Sequence, residues 1–164
     1  WQLEIFKFQS PSFLNNKNGI KQKSLFEDAN QINETFYNLN PLTLTPLPLS
    51  FWRWPSPPHH GPALYFVMDR PTNLDFPLIL YIGETIAAEK RWKGEHDCKT
   101  YLSSYCEALG IAQISHQLSI RFWNDVPQDT KSRRKIEQLL IQKWKPPFNK
   151  ETRNRWKTPF TTGI

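Results

Sequence analysis

Five residues of this 164-residue chain have types and spacings suited to chemistry: Tyr65, Tyr81, Arg91, Glu137 and Asn149. Glu137 is the most conspicuous. At about 100° per residue, Ile136, Leu140, Trp144 and Ile141 form one apolar stripe of a helix, and Glu137 falls inside it. A carboxylate among apolar side chains costs free energy unless opposite charge lies nearby. Two sources are open. Arg133, four residues earlier, can form a pair worth about 0.2–0.5 kcal/mol on an exposed helix; a bound cation can do the same work. Tyr81 closes an apolar run, and Gly83 lets the backbone turn sharply just after it. Tyr65, in the preceding apolar run, can sit beside Tyr81, although a lone pair of strand tyrosines is ordinarily packing. Arg91 comes one helical turn after Ala87, where small neighbours leave room around a guanidinium.

These residues need a frame. Ala63–Met68 reads as a strand, and Leu78–Ile82 as a second strand paired antiparallel to it. Gly83 is expected to break the second strand, and Thr85 to cap a helix from Ile86 to about Glu95. A further helix covers roughly Lys99–Leu109, closed by Gly110. Leu118–Trp123 is a third strand. Asp125 or Asp129 opens the last helix, and Pro146 and Pro147 bar its continuation. The order ββααβα describes an α+β fold: a small, mostly antiparallel three-stranded sheet flanked by helices. Residues 61–150 make the compact domain, and residues 151–164 a basic aromatic tail. Residues 1–60 are an N-terminal extension with a short helix at 24–38, for which Ser24 is a possible N-cap. Seven of the fourteen prolines fall between Pro41 and Pro62. That stretch is expected as an extended strap on the core, with Trp52 and Trp54 as anchors.

Charged residues make up 22% of the chain and aromatic ones 14%, a globular rather than a disordered composition. The net charge of +6 is uneven: from Lys143 onward, six Lys and Arg side chains face only Glu151. Trp144, Phe148, Trp156 and Phe160 are interleaved with them. Such a tail suits a polyanion that also offers stacking surfaces; it equally suits a solvated flank packed by its aromatics. The sequence opens on Trp1 rather than methionine, so an upstream segment is an expectation. No signal-peptide pattern is visible, and no apolar run approaches the ~20 residues of a membrane span. Cys98 and Cys106 are expected to be ordinary thiols in a reduced, cytoplasmic setting. With His96 and His116 they match no compact zinc spacing.

Beyond single residues, the pattern resembles the GIY-YIG nuclease family. Tyr81-Ile82-Gly83 looks like the second half of the family name, and Ala63-Leu64-Tyr65 occupies the place of the first half, with alanine for its glycine. Arg91, ten positions after Tyr81, stands at the family's helix arginine. Glu137, followed by Pro147-Phe148-Asn149, looks like the family's metal-binding glutamate and the asparagine that closes the core. The resemblance covers about Gly61 to Lys150.

The resemblance implies an endonuclease that hydrolyses phosphodiester bonds with Mg²⁺ or Mn²⁺ held by Glu137. Tyr65 would be the general base, Tyr81 a second phenol holding water or phosphate, and Arg91 the donor that stabilises transition-state charge. Asn149 is expected to fix local geometry, and Glu84 and His96 to be surface positions. DNA is the implied partner, with RNA left open. Lys131, Arg133, Arg134, Lys135, Lys145, Lys150, Arg153 and Arg155 would grip its phosphates. A monomer and a homodimer are both compatible with this reading, and so is a non-catalytic nucleic-acid-binding module on the same fold.

Overall fold

The computed structural model describes residues 1–15 and 34–160. Strands β1 (Ala63–Asp69), β2 (Leu78–Thr85) and β3 (Leu118–Trp123) form one antiparallel sheet in the order β2-β1-β3. Helices α1 (Gln2–Asn15), α2 (Asp97–Ile111) and α3 (Thr130–Trp144) pack around it. The α+β class and the three-stranded antiparallel sheet are as the sequence implies. β1 is buried along its whole length because both faces of the sheet are covered. On one face Tyr65, Val67, Leu80, Ile120 and Phe122 meet Leu102 and Tyr105 of α2, together with Phe51, Phe148 and Trp156. On the other, Leu64, Phe66, Met68, Ile79 and Ile82 meet Ile136, Leu140, Ile141 and Trp144 of α3 and Phe13 of α1.

One irregularity decides where the tyrosines go. The β1–β2 register runs Tyr65 to Gly83, Phe66 to Ile82 and Val67 to Tyr81, then skips to Met68 and Ile79. Leu80 therefore has no cross-strand partner, as in a β-bulge. Strict alternation from Ile79 would put Tyr81 on the α3 face. The extra residue turns it to the face of Tyr65, and the two ring centroids lie 6.0 Å apart.

Both sheet edges are covered by side chains or by the strap. Along β2, the amide of Gln9 accepts from Ile79 N (2.8 Å) and donates to Ile79 O and Trp144 O, both 3.0 Å away. Farther along, Asn149 accepts from Ile82 N (2.9 Å) and donates to Ile82 O (2.8 Å). Along β3, Leu47 and Ile120 exchange two backbone hydrogen bonds of 2.9 Å.

Several expectations need correction. Gly83 does not break β2, which continues to Thr85. The helix expected over Ile86–Glu95 is a 3₁₀ turn, Ala88–Lys90. Its polar groups are drawn to Gly61, whose O accepts from Ala88 N and whose N donates to Glu89 Oε2, both at 2.8 Å. α2 runs past Gly110 to Ile111. Asp129, not Asp125, caps α3 by accepting from Ser132 N at 2.8 Å. α1 was not foreshadowed by periodicity: its buried face carries Gln9 between Ile5 and Phe13, and Pro11 lies inside it. Residues 24–33 of the helix expected at 24–38 lie outside the described residues; residues 34–37 are helical. The strap is anchored by fully buried Phe51, whereas Trp52 is only half-buried and Trp54 is 42% exposed. The tail aromatics Trp144, Phe148 and Trp156 are core side chains, with Trp156 Nε1 donating to Lys145 O (2.6 Å). They are closed to any base that would stack on them.

Candidate active site

Tyr65 lies across from Gly83 in the sheet, and its ring occupies the space a side chain at 83 would need. A Cβ built on Gly83 falls 2.3 Å from Tyr65 Cζ. Glycine is thus required at 83 by close packing of the phenol rather than by a turn. The Tyr65 hydroxyl accepts from Arg91 Nε at 2.8 Å and lies 3.3 Å from His96 Nε2. Trp92 packs its edge against Tyr65 and stacks on His96 at 5.0 Å. Tyr81 meets the His96 ring edge-on at 5.3 Å. Arg91 and Trp92 follow directly on the 3₁₀ turn pinned by the clasp at Gly61, and His96 stands at the start of α2.

His96 was set aside as a surface residue by the sequence reading. It is the N-cap of α2, and its Nδ1 accepts from Cys98 N at 3.1 Å. That contact assigns the ring proton to Nε2 in the neutral form. Arg91 Nη2 lies 2.6 Å from the same Nε2, so two donors are opposed. An anionic oxygen to one side of the pair, in reach of both, would accept from each. Burial and the Arg91 charge push the His96 pKa down to about 4, so the ring is neutral at pH 7. The signal in the sequence was His96-Asp97 directly before a helical pattern, a capping position rather than a random surface one.

Glu137 and Asn149 complete the constellation. Tyr81, His96, Glu137 and Asn149 line one cavity of about 980 Å³, together with Lys150, Glu151 and Arg153. Tyr65 and Arg91 do not line it; they stand behind its wall, in contact with His96. The four groups that carry the chemistry of the sequence reading are therefore neighbours. Asn149 is buried and spends its amide on Ile82, next to Tyr81 and Gly83. Burial first, then the charges of Glu84 and Glu151, raise the Glu137 pKa to about 7, against the backbone amide of Glu84 and the Arg134 charge.

The salt-bridge alternative for Glu137 does not form. Arg133 pairs with Glu84 at 3.1 Å and also donates to the Pro127 and Gln128 carbonyls and to Thr130 Oγ1. Its guanidinium is fully buried, so Arg133 is removed from the phosphate-gripping set. Glu84, too, departs from its expected surface role: its side chain is 14% exposed and serves Arg133 and, at 3.5 Å, Arg134.

The other basic residues divide by location. Lys150 and Arg153 are on the cavity wall, Arg153 donating to Tyr101 Oη at 3.2 Å. Lys131, Arg134 and Lys135 share the open outer face of α3. Arg155 lies over Phe8 and Trp156, and Lys145 closes α3 in the left-handed conformation.

Glu137, half-buried and, among the described residues, with no cationic partner at salt-bridge distance, fits a hard divalent ion. Among the described residues no group of three or more His, Cys, Asp or Glu is gathered as a cage. Glu137 would then be the main protein ligand, with water filling the remaining positions. Both cysteines are free thiols. No helix among the described residues is long and apolar enough to cross a membrane. No family model, curated protein or solved structure matches the chain.

Proposed function

We propose that the protein is a metal-dependent endonuclease of GIY-YIG type that hydrolyses phosphodiester bonds of DNA. The observation that carries this reading is that Tyr81 and Glu137, remote in sequence, line one polar cavity, with Tyr65 packed against Tyr81 and bonded to Arg91 directly behind its wall. Their order along the chain and the Asn149 clamp on Ile82 add to it.

Glu137 would hold Mg²⁺ or Mn²⁺, which when bound supplies Lewis-acid charge compensation at the phosphate. Arg91 Nη2, opposed to His96, has a phosphate oxygen as its natural acceptor, and its charge is set where negative charge grows in the transition state. The phenols of Tyr65 and Tyr81 orient water and phosphate. Burial pushes Tyr65 well above the usual phenol range and Tyr81 up to about 12. Each keeps its proton at pH 7 on the chain's own charges, so Tyr65 acts as a base only with added positive charge beside it. His96, neutral and 3.3 Å from the Tyr65 hydroxyl, fixes that hydroxyl's direction. Lys150 and Arg153 grip the backbone next to the cleaved bond, and Lys131, Arg134 and Lys135 extend that grip along α3.

The test is nicking of supercoiled plasmid in Mg²⁺ or Mn²⁺. Wild type should nick, and Glu137→Ala and Arg91→Ala should each lose at least about 100-fold in rate while remaining folded. Binding without cutting in either metal overturns the reading in favour of a non-catalytic binding module. Duplex, branched and single-stranded DNA compared with RNA in the same assay identifies the polymer.

A further inference from the structure

The strap turn at Phe51–Arg53 contributes nothing to the cavity wall, yet its side chains are placed at the site's flank. Phe51 is buried against Phe122 at 5.1 Å and anchors the turn. Trp54 leaves 42% of its surface open, and Trp52 is only half-buried. Indole surface gains free energy by burial, so a turn already anchored by Phe51 has no packing reason to leave Trp54 this open.

Charge is gathered at the same place. The Arg53 guanidinium lies 5.0 Å and Lys99 Nζ 5.6 Å from the Trp52 ring centre. Among the described residues neither cation has a carboxylate partner at salt-bridge distance. Lys99 is held in place by donation to the carbonyls of Trp92 and Gly94. Trp92 stacks on His96, so the path from Trp52 to the candidate site is Lys99, Trp92, His96.

We propose that this turn, with Lys99, is a subsite for an unpaired nucleotide flanking the cleaved phosphate. Its base stacks on the open indole of Trp54, and its phosphate is taken by Arg53 and Lys99, which Trp52 holds side by side. Every base has a π face, so such a subsite is tolerant of sequence and selective for bases that have left the duplex stack. The inference rests on the nuclease reading for its biological sense and narrows the substrate to nucleic acid with an unpaired base.

The experiment reads binding without cleavage. Full-length protein in EDTA is titrated into duplex DNA carrying 2-aminopurine as a one-nucleotide bulge, and into the same duplex fully paired. Wild type should prefer the bulge by about ten-fold, as one stacked base warrants, and quench its fluorescence. Trp54→Ala and Trp52→Ala should each reduce that preference, leaving the paired duplex within about two-fold. Trp54 is exposed, so its variant should fold even where Trp52→Ala does not. With 5-iodouracil at the bulge, light should join the DNA of wild-type protein to Trp52 or Trp54. Equal binding of both duplexes, no binding at low salt, or adducts only elsewhere overturns the proposal. Nicking that ignores the bulge sinks this inference alone; bulge binding without nicking in any metal sinks the nuclease reading alone.

Discussion

Burial and the neighbouring carboxylates of Glu84 and Glu151 hold Glu137 at a pKa of about 7, above its ordinary 4.5. The folded chain therefore binds this proton more tightly than the unfolded chain does. Its contribution to stability is complete below pH 4.5 and is lost as pH rises to about 7. Glu137→Gln removes the term. In metal-free buffer at pH 8 this variant should melt a few °C above wild type, and the gap should close near pH 4.5 in calorimetry. His96 works in the opposite sense, stabilising above pH 6.5 and losing its contribution as pH falls through about 4. Only the difference between variant and wild type isolates Glu137. Added Mg²⁺ should narrow the gap at pH 8, because a ligand of the folded state stabilises it. Gly83→Ala should cost about 1–3 kcal/mol, since the new Cβ would overlap the Tyr65 ring. Urea unfolding measures that cost, and nicking should fall far more than the change in folded fraction explains. The types and order of Tyr65, Tyr81, Arg91, Glu137 and Asn149 were legible in the sequence. The packing reason for Gly83 was not, because it depends on which residue faces it across the sheet.

At the level of elements, α3 presents two kinds of basic residue that sequence alone treats as one run. Arg133 is interior and holds Glu84 and the turn before the helix; Arg134 is 69% exposed. Arg133→Ala should destabilise by about 1–3 kcal/mol, because the Pro127 and Gln128 carbonyls lose their donor and Glu84 keeps only the exposed Arg134. DNA affinity of its folded fraction should hold. Arg134→Ala and Lys135→Ala should leave stability nearly unchanged, weaken DNA binding and flatten its dependence on salt. Melting curves and binding at several salt concentrations separate the two cases. The strands and α3 were legible because their periodicities are long and clean. The turn carrying Arg91 was not: capping residues and alanines promised a helix, and the hydrogen bonds went to Gly61 instead. The bulge at Leu80 was equally hidden, since an unpaired residue in an apolar run leaves no mark until its partner strand is known.

Across the whole molecule, the residues before the first strand and after the last helix are part of the architecture. Gln9 and Asn149, at opposite ends of the chain, grip the same strand. The basic tail suited either stacking or packing by its aromatics; its tryptophan is tucked under Lys145, and the open indole, Trp54, belongs to the strap. Sequence could count aromatics and charges but not say which of them the core would claim.

The amide clamps on β2 and the Leu47 bridge on β3 have one more effect. A second copy adding its own strand would first have to displace Gln9 or Asn149 from β2, or Leu47 from β3, so helix faces and loops are the easier surfaces for any pairing of molecules. With one cavity per copy, a plasmid should convert to relaxed circles first, linear product gathering only later, by chance opposition of separate cuts on a gel time course.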